Sequence, residues 1–439
     1  MIAETKMHKE DGKQLSGMLS SGSSSTAILA LAKASLGAAI LALPQKTMLS
    51  GIPVFLLLLT VGGYFTAQSL EMIAKGARYT NKFVFEEIAE VLLGRGMAIT
   101  LGISMLLNCY GASIVFVIAI KGSLEALLSE VVKQTGNDWP LYATLILGGL
   151  VLVPFSIAER INSLRILSLA GVVGVFFTVA SVIYALANLG VSPDVSEGIS
   201  VLEPQGGFVD LMNAMSTVTF AFCNQFNFPQ VYDELADKST STVRYVAYVS
   251  TLLPMSLYIL TAVTGYLCYG FGIQSNILEN FSPLIQSGTV LIYIGTIAVA
   301  WSVSMCHLLN NFPMRLSVAY FLPESQRNAG WVRYAVPLFT AVSTISIAIL
   351  YSDLSLFLDL VGASTCSIIC YIVPAMFSIR VKALAIQASD EPAASGTEKP
   401  VQSYYNTLTA NLVEWFMMFV GVVIGVVGTF CAFYGCLNS

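Results

Sequence analysis

An all-α polytopic membrane protein is the fold class this sequence predicts, and three observations predict it. The 439-residue chain is 56% hydrophobic and only 11% charged, less than half the charged share of about 25% found in soluble domains. Apolar runs long enough to cross about 30 Å of hydrocarbon, roughly 20 residues each, recur about eleven times. Together these runs use most of the length and leave no room for a separate soluble domain. The net charge of −5 comes without the basic patch that nucleic acid requires.

Residues 1–25 are polar and rich in Ser, Gly and charge, with no apolar core of a secretory leader, and are expected to form a disordered cytosolic tail. A single membrane domain is expected over 26–436. Its runs are 26–49, 51–73, 98–128, 141–157 and 164–189, then 208–232, 245–269, 284–310, 332–350, 354–379 and 412–436. The segment 388–404 is rich in Pro, Ala, Ser and acid and reads as a mobile cytosolic loop. An N-terminus in the cytosol places the 21 Lys and Arg on inner segments, apart from Lys33 inside a span and Lys46, Lys121 and Lys133 towards the outside. That bias sets the N-terminus in and the C-terminus out. The sequon Asn280-Phe281-Ser282 then falls in an outer loop, with Pro283 directly behind it. All eight cysteines lie in or beside apolar runs without metal-ligand spacing, so they read as small buried hydrophobes, and no metal or cofactor is expected.

Two runs are interrupted by small or polar residues and close on a proline. The first reads Lys33-Ala-Ser-Leu-Gly-Ala-Ala-Ile-Leu-Ala-Leu-Pro44, and the sixth Phe220-Ala-Phe-Cys-Asn-Gln-Phe-Asn-Phe-Pro229. Irregular backbone at membrane depth is tolerated only where protein or a water-lined cavity satisfies its polar groups. The two runs are five helices apart, and an odd number of helices per repeat inverts one half against the other. Paired broken helices in matching positions of two halves point to a secondary transporter's site. The chain therefore divides into inverted repeats over 26–189 and 208–379, with an eleventh helix at 412–436.

Free N–H groups around Gly37, Ala38, Ala39 and Ile40 suit a carboxylate, aided by the positive end of the half-helix that follows. Pro229 frees carbonyls near Phe220, Ala221, Phe222 and Gln225, which suit an ammonium. Ser35, Asn224, Gln225 and Asn227 add side-chain hydrogen bonding that lipid would penalise. Anion-binding amides beside ammonium-binding carbonyls match the head of an α-amino acid. Asn108 and Tyr110 of the third span are candidates for the facing wall. Asp359, about a turn and a half into the tenth span, is a functional candidate as an intramembrane charge. It can pair with Lys33, accept a proton, or face a basic substrate. Asp353 and Glu71 sit near helix ends, where solvation is expected. His307, close to Ser304, is either a satisfied core imidazole or a proton relay.

The motifs Leu36-Gly-Ala-Ala-Ile-Leu-Ala-Leu-Pro44 with Gly51, Phe220-Ala-Phe with Tyr232-Asp-Glu-Leu235, and Asn311-Phe-Pro-Met-Arg-Leu-Ser317 resemble the amino acid/auxin permease family. That family belongs to the amino acid–polyamine–organocation superfamily. The resemblance covers about residues 25–436. It implies two inverted five-helix repeats plus an eleventh helix, with a LeuT-like fold, and amino acid transport by alternating access.

Three departures stand out. The second glycine of the family's Gly-x-Gly is Ala39 here. The sixth-span His of some relatives is Gln225, which cannot carry a proton. Sodium-coupled relatives place Asn where this chain has Lys33 and use an eighth-span Thr, for which Ser304 and Cys306 are the candidates. A Lys ammonium would hold the cation site with its own charge, so transport is expected to be independent of sodium, either proton-coupled or driven by the substrate gradient.

The expected substrates are neutral or cationic amino acids, since no spare intramembrane Arg is present for acidic ones. The expected membrane is the plasma membrane or a vacuolar or lysosomal one. An enzyme is disfavoured by the presence of only two His and by the absence of a phosphate-binding glycine loop. An amino-acid sensor on the same scaffold is the rival reading.

Overall fold

The computed structural model describes residues 22–155, 165–197, 201–327, 330–390 and 411–438. Among them every regular element is helical and none is a strand. Eight of these helices are long and apolar enough to cross a membrane, and the chain is a multi-pass membrane protein. Large apolar side chains point outwards along the last of them, as Phe419, Val426 and Phe430 do, which is the surface a hydrocarbon solvent calls for. Of the expected tail 1–25, residues 24 and 25 already belong to the first helix, and of the expected loop 388–404, residues 388–390 continue the helix Val373–Asp390; the parts 1–21 and 391–404 lie outside the described residues.

The remaining three expected spans fall short of that length for two reasons. The fourth, Trp139–Phe155, is 17 residues long and abuts undescribed residues. The first and sixth are each divided. The first runs as Ser24–Ser35, a 3₁₀ turn Ala38–Leu41, and Leu43–Ser50. The sixth runs as Phe208–Ala221, a 3₁₀ turn Gln225–Asn227, and Phe228–Glu234. The same device restarts both. Pro44 and Pro229 lie in the first turn of the second half-helix, where a missing N–H costs nothing. A continuous helix would instead drive each proline ring against the carbonyl four residues earlier. Gly37 sits tightly packed: a Cβ there would stand 3.1 Å from the Phe116 ring.

Several boundaries differ from expectation. The third span extends over Arg95–Thr135, 41 residues and so about 60 Å, twice the hydrocarbon thickness. The eighth begins at Val290, because Ser282–Gln286 forms a separate short helix, and continues through Pro313 to Phe321. The tenth contains two consecutive π-helical turns, Gly362–Cys366 and Ile368–Ile372, between Leu354–Val361 and Val373–Asp390. Such turns widen a helix locally and recur at functional sites.

One loop element was not anticipated. The short helix Phe85–Leu93 follows the second span and docks on the C-terminal end of the eighth. Ser317 Oγ donates to Glu86 Oε1 at 2.5 Å, and Tyr320 OH to Glu90 Oε2 at 3.0 Å. Burial raises the Glu86 carboxyl above its ordinary value of 4.5, with the Ser317 hydrogen bond opposing in part. The folded chain therefore binds this proton more tightly than the unfolded chain does. The corresponding stability is complete below pH 4.5 and is lost as pH rises through the higher folded value. Glu86→Gln is expected to melt higher than wild type at neutral pH and to flatten the pH dependence of melting in that window. Melting curves across pH in detergent would check this, and identical profiles would contradict it.

Candidate functional site

The two helix breaks meet inside the bundle. Ser35, Gly37, Asn108, Phe220, Asn227 and Cys306 line one cleft of about 480 Å³, with Ala34, Ala112, Phe116, Cys223, Phe226, Leu309 and Asn310 completing its wall. No charged side chain is among these lining residues. Ala38, Ala39, Ile40, Ala221, Phe222, Asn224 and Gln225 are buried around the same breaks but do not line the cleft.

The backbone of the first break supplies uncapped donors. Leu36 N–H bonds Ala32 O and Gly37 N–H bonds Ser35 O, while Ala42 N–H bonds Ala39 O. Ala38 and Ala39 open the 3₁₀ turn, where the first N–H groups have no partner within the helix, and Gly37 brings no side-chain cap to them. Buried main-chain donors call for a partner. In the sixth break, Asn224 Nδ2 donates to Ser35 Oγ at 3.0 Å and to Leu31 O at 3.4 Å, while its Oδ1 has no partner. Gln225 is fully engaged: its Nε2 donates to Ser69 Oγ, and its Oε1 accepts from Asn224 N–H and Cys370 Sγ. Asn108 Oδ1 accepts from Thr365 Oγ1 and Cys366 Sγ. The π-helical part of the tenth span thus clasps both the third span and the sixth break.

Lys33 is wholly buried, and its Nζ reaches four acceptors. These are Ser302 Oγ at 2.8 Å, Ser302 O at 3.0 Å, Leu36 O at 3.1 Å and Cys306 Sγ at 3.1 Å. Among the described residues no carboxylate pairs with it. Carbonyls and a hydroxyl converging on one cationic nitrogen form the kind of oxygen set that a small hard cation also takes. Gly171 makes room for it: a Cβ there would lie 2.6 Å from Lys33 Cε and 3.1 Å from Nζ. Gly171→Ala is expected to displace the amine and cut uptake several-fold with little change in melting, because the atom it strikes ends a flexible side chain. Normal uptake by that variant would show the position of Nζ to be immaterial.

Three expectations require correction. Ser304 is not the eighth-span partner; its Oγ donates to Ala300 O, and Ser302 meets Lys33 in its place. Residues two apart on a helix do not share a face, whereas Ser302 and Cys306, four apart, do. Asp359 does not pair with Lys33 and does not line the cleft. It is buried against Lys46 Nζ at 2.6 Å and accepts from Thr217 Oγ1 at 2.5 Å and Ser355 Oγ at 3.3 Å. Glu71 is buried rather than solvated, and Arg244 Nε holds its Oε1 at 3.1 Å.

Of the other sequence candidates, Asp353 is exposed and caps the Leu354 helix through Ser355 N–H and Leu356 N–H. His307 is buried with its Nδ1 unpartnered. Tyr110 stacks near Phe339, away from the cleft wall. Cys109, Cys223, Cys268, Cys306, Cys366, Cys370 and Cys431 are free and buried. Asn280 uses its amide within its own loop, on Gly272 O and Gln274 N–H.

The missed wall residues carried a readable signal in part. Ala112 and Phe116 follow the candidate Asn108 at four-residue steps along one face of the third span, and Asn310 follows the candidate Cys306 by four along the eighth. Tyr258 of the seventh span had no such signal. It is buried, its ring meets Phe222 edge-on at 5.6 Å, and its hydroxyl lies 2.6 Å from Ser35 O and 2.9 Å from Ala221 O.

Comparison with known proteins adds a second line. A family model described as "Transmembrane amino acid transporter protein" matches residues 20–431. The chain is 23% identical over 400 residues to the sodium-coupled neutral amino acid symporter 2 of Danio rerio, across 85% of this chain and 79% of that one. It is 23% identical over 392 residues to the vacuolar amino acid transporter 5 of Schizosaccharomyces pombe, across 86% and 87%. An amino acid transporter of Arabidopsis thaliana shares 23% over 429 residues, across 92% and 81%.

Proposed function

The chain belongs to the transmembrane amino acid transporter family, and from that premise we propose that it carries neutral amino acids across its membrane by alternating access, without sodium. The observation that carries the substrate reading is the first break: the buried, uncapped N–H end of the Ala38–Leu41 turn, beside a cleft with no charged wall. These N–H groups suit a carboxylate, and the positive end of the Leu43–Ser50 helix adds to its attraction. The carbonyl ends of Ser24–Ser35 and Phe208–Ala221 suit the ammonium. Phe116, Phe220, Phe226 and Leu309 then face an apolar side chain. A cationic side chain finds no carboxylate there, since Asp359 is held by Lys46.

In this reading the divided helices are the first and sixth of eleven spans arranged as two inverted five-helix repeats. The N-terminus is cytosolic and the C-terminus lies outside. Lys33 stands in for the coupling cation. The Lys46–Asp359 pair, with Thr217, ties the outer halves of the first and sixth spans to the tenth. On the inner side Gly22 O accepts from Ala236 N–H at 3.0 Å. Alternating access requires these two closures to open in turn. Uptake of labelled L-leucine into proteoliposomes, with competition by each proteinogenic amino acid, tests the reading. Neutral amino acids should compete, while arginine and glutamate should not. Absence of any amino acid uptake, or arginine as the strongest competitor, would refute it.

A further inference from the structure

Both half-helices that precede the breaks, Ser24–Ser35 and Phe208–Ala221, end with their carbonyl poles on one side chain from another helix. That side chain is Tyr258, wholly buried on Thr240–Tyr269, with its hydroxyl 2.6 Å from Ser35 O and 2.9 Å from Ala221 O. A phenol has one proton to donate, so it can satisfy only one of the two carbonyls at a time. The two acceptors are not equivalent. Ser35 O also accepts from Gly37 N–H at 2.8 Å, whereas among the described residues Tyr258 is the only donor to Ala221 O. The poles differ in charge as well. Lys33 Nζ reaches Leu36 O at the end of the first half-helix, and no Lys or Arg has been placed at the end of the sixth.

We infer that Tyr258 is a positioning residue for the ammonium pole of the substrate, acting by sharing its single proton between the two breaks. With the cleft empty, the proton rests on Ala221 O, and Ser35 O keeps Gly37. When an ammonium arrives it takes Ala221 O, and the hydroxyl turns to Ser35 O. No bond is made or broken; one hydrogen bond changes acceptor. The shared proton keeps the sixth-span pole satisfied in the empty carrier and frees it on binding, so release of the substrate is not held back by a stranded buried carbonyl.

This inference rests on the amino acid reading above and predicts an unusual sign. Tyr258→Phe keeps the ring packed on Phe222 but strands Ala221 O in the empty site. A ligand with an ammonium relieves that defect, so L-leucine should bind more tightly, by about tenfold for a hydrogen bond to a charged group, and turn over more slowly. Isocaproate, the same skeleton without the amino group, should bind wild type and variant alike. A ring-fluorinated tyrosine at 258, a stronger donor of nearly the same shape, should shift L-leucine the opposite way and leave isocaproate unmoved. This second replacement keeps the test alive if the phenylalanine variant does not fold.

Binding to the purified full chain by calorimetry, with uptake rates alongside, gives the answer. Equal shifts for both ligands, no shift for either, or weaker L-leucine binding by Tyr258→Phe would overturn the role of Tyr258 alone. A wild-type protein that binds no amino acid would overturn the substrate reading, and this inference with it.

Discussion

Lys33→Met is expected to cut amino acid uptake by at least about tenfold in any medium while leaving the protein folded. Lys33→Asn is expected to lose uptake in choline and to recover part of it in sodium. The reasoning starts from what Nζ touches. Ser302 O, Ser302 Oγ and Leu36 O converge on it, and Cys306 Sγ donates to Leu36 O at 3.3 Å. Methionine fills similar volume and removes the cost of burying an unpaired cation, while Leu36 O keeps Cys306 Sγ as a donor. The function lost is electrostatic. The first half-helix ends at this point, and its negative pole would be left without the cation that holds it against the eighth span. Hydrogen bonds to charged groups are worth about 1.5–3 kcal/mol each, so uptake should fall by at least about tenfold. Asparagine leaves space and adds a carbonyl oxygen, which returns the oxygen set to a mobile cation. Initial uptake rates of both variants in the two media check this. Wild-type rates from both would mean that Lys33 only fills space.

The second large effect concerns Lys46 and Asp359, both buried and 2.6 Å apart. Removing one partner strands the other, at a cost of about 3–5 kcal/mol for a buried pair. Lys46→Ala should therefore melt far below wild type. The double replacement Lys46→Met with Asp359→Leu should restore most of the loss, because it strands no charge. Transport should respond differently. In the proposed cycle the pair joins the first, sixth and tenth spans only while the outer side is closed. The restored double variant should therefore fold but transport slowly, its outer side no longer closed by an ion pair. Melting curves and uptake on the same preparations separate the two effects. Additive losses in the double variant would show that the two side chains do not act as a pair. Full uptake by it would remove the pair from the transport cycle.

Much of this fold was legible because membrane solvent leaves few choices. Long apolar runs must be helices, and a Pro or Gly at depth must face protein. The two breaks were read from Lys33, Ser35, Gly37 and Pro44 and from Asn224, Gln225, Asn227 and Pro229, and those residues do lie at or beside the divided helices. What sequence could not provide was rotation and partnership. Ser304 and Ser302 are indistinguishable until the helix is turned to show which faces Lys33. Asp359 was assigned a choice of partners that omitted Lys46, because a charge assigned to the outer end of a span reads as solvated. The π-helical turns of the tenth span had no local signal, and the partners of Cys366 and Cys370 upon them, Asn108 and Gln225, come from distant spans. Tyr258 was silent because one tyrosine in an apolar helix resembles any other until the two carbonyls it serves are in place.

The most direct measurement is the initial rate of L-leucine uptake into proteoliposomes of the wild-type protein, with external sodium replaced by choline at constant pH and osmolarity. With Lys33 holding the cation position, the two rates should be equal. A large loss of uptake in choline would contradict this, and would require a sodium ion to bind somewhere other than among Lys33, Ser302 and Leu36.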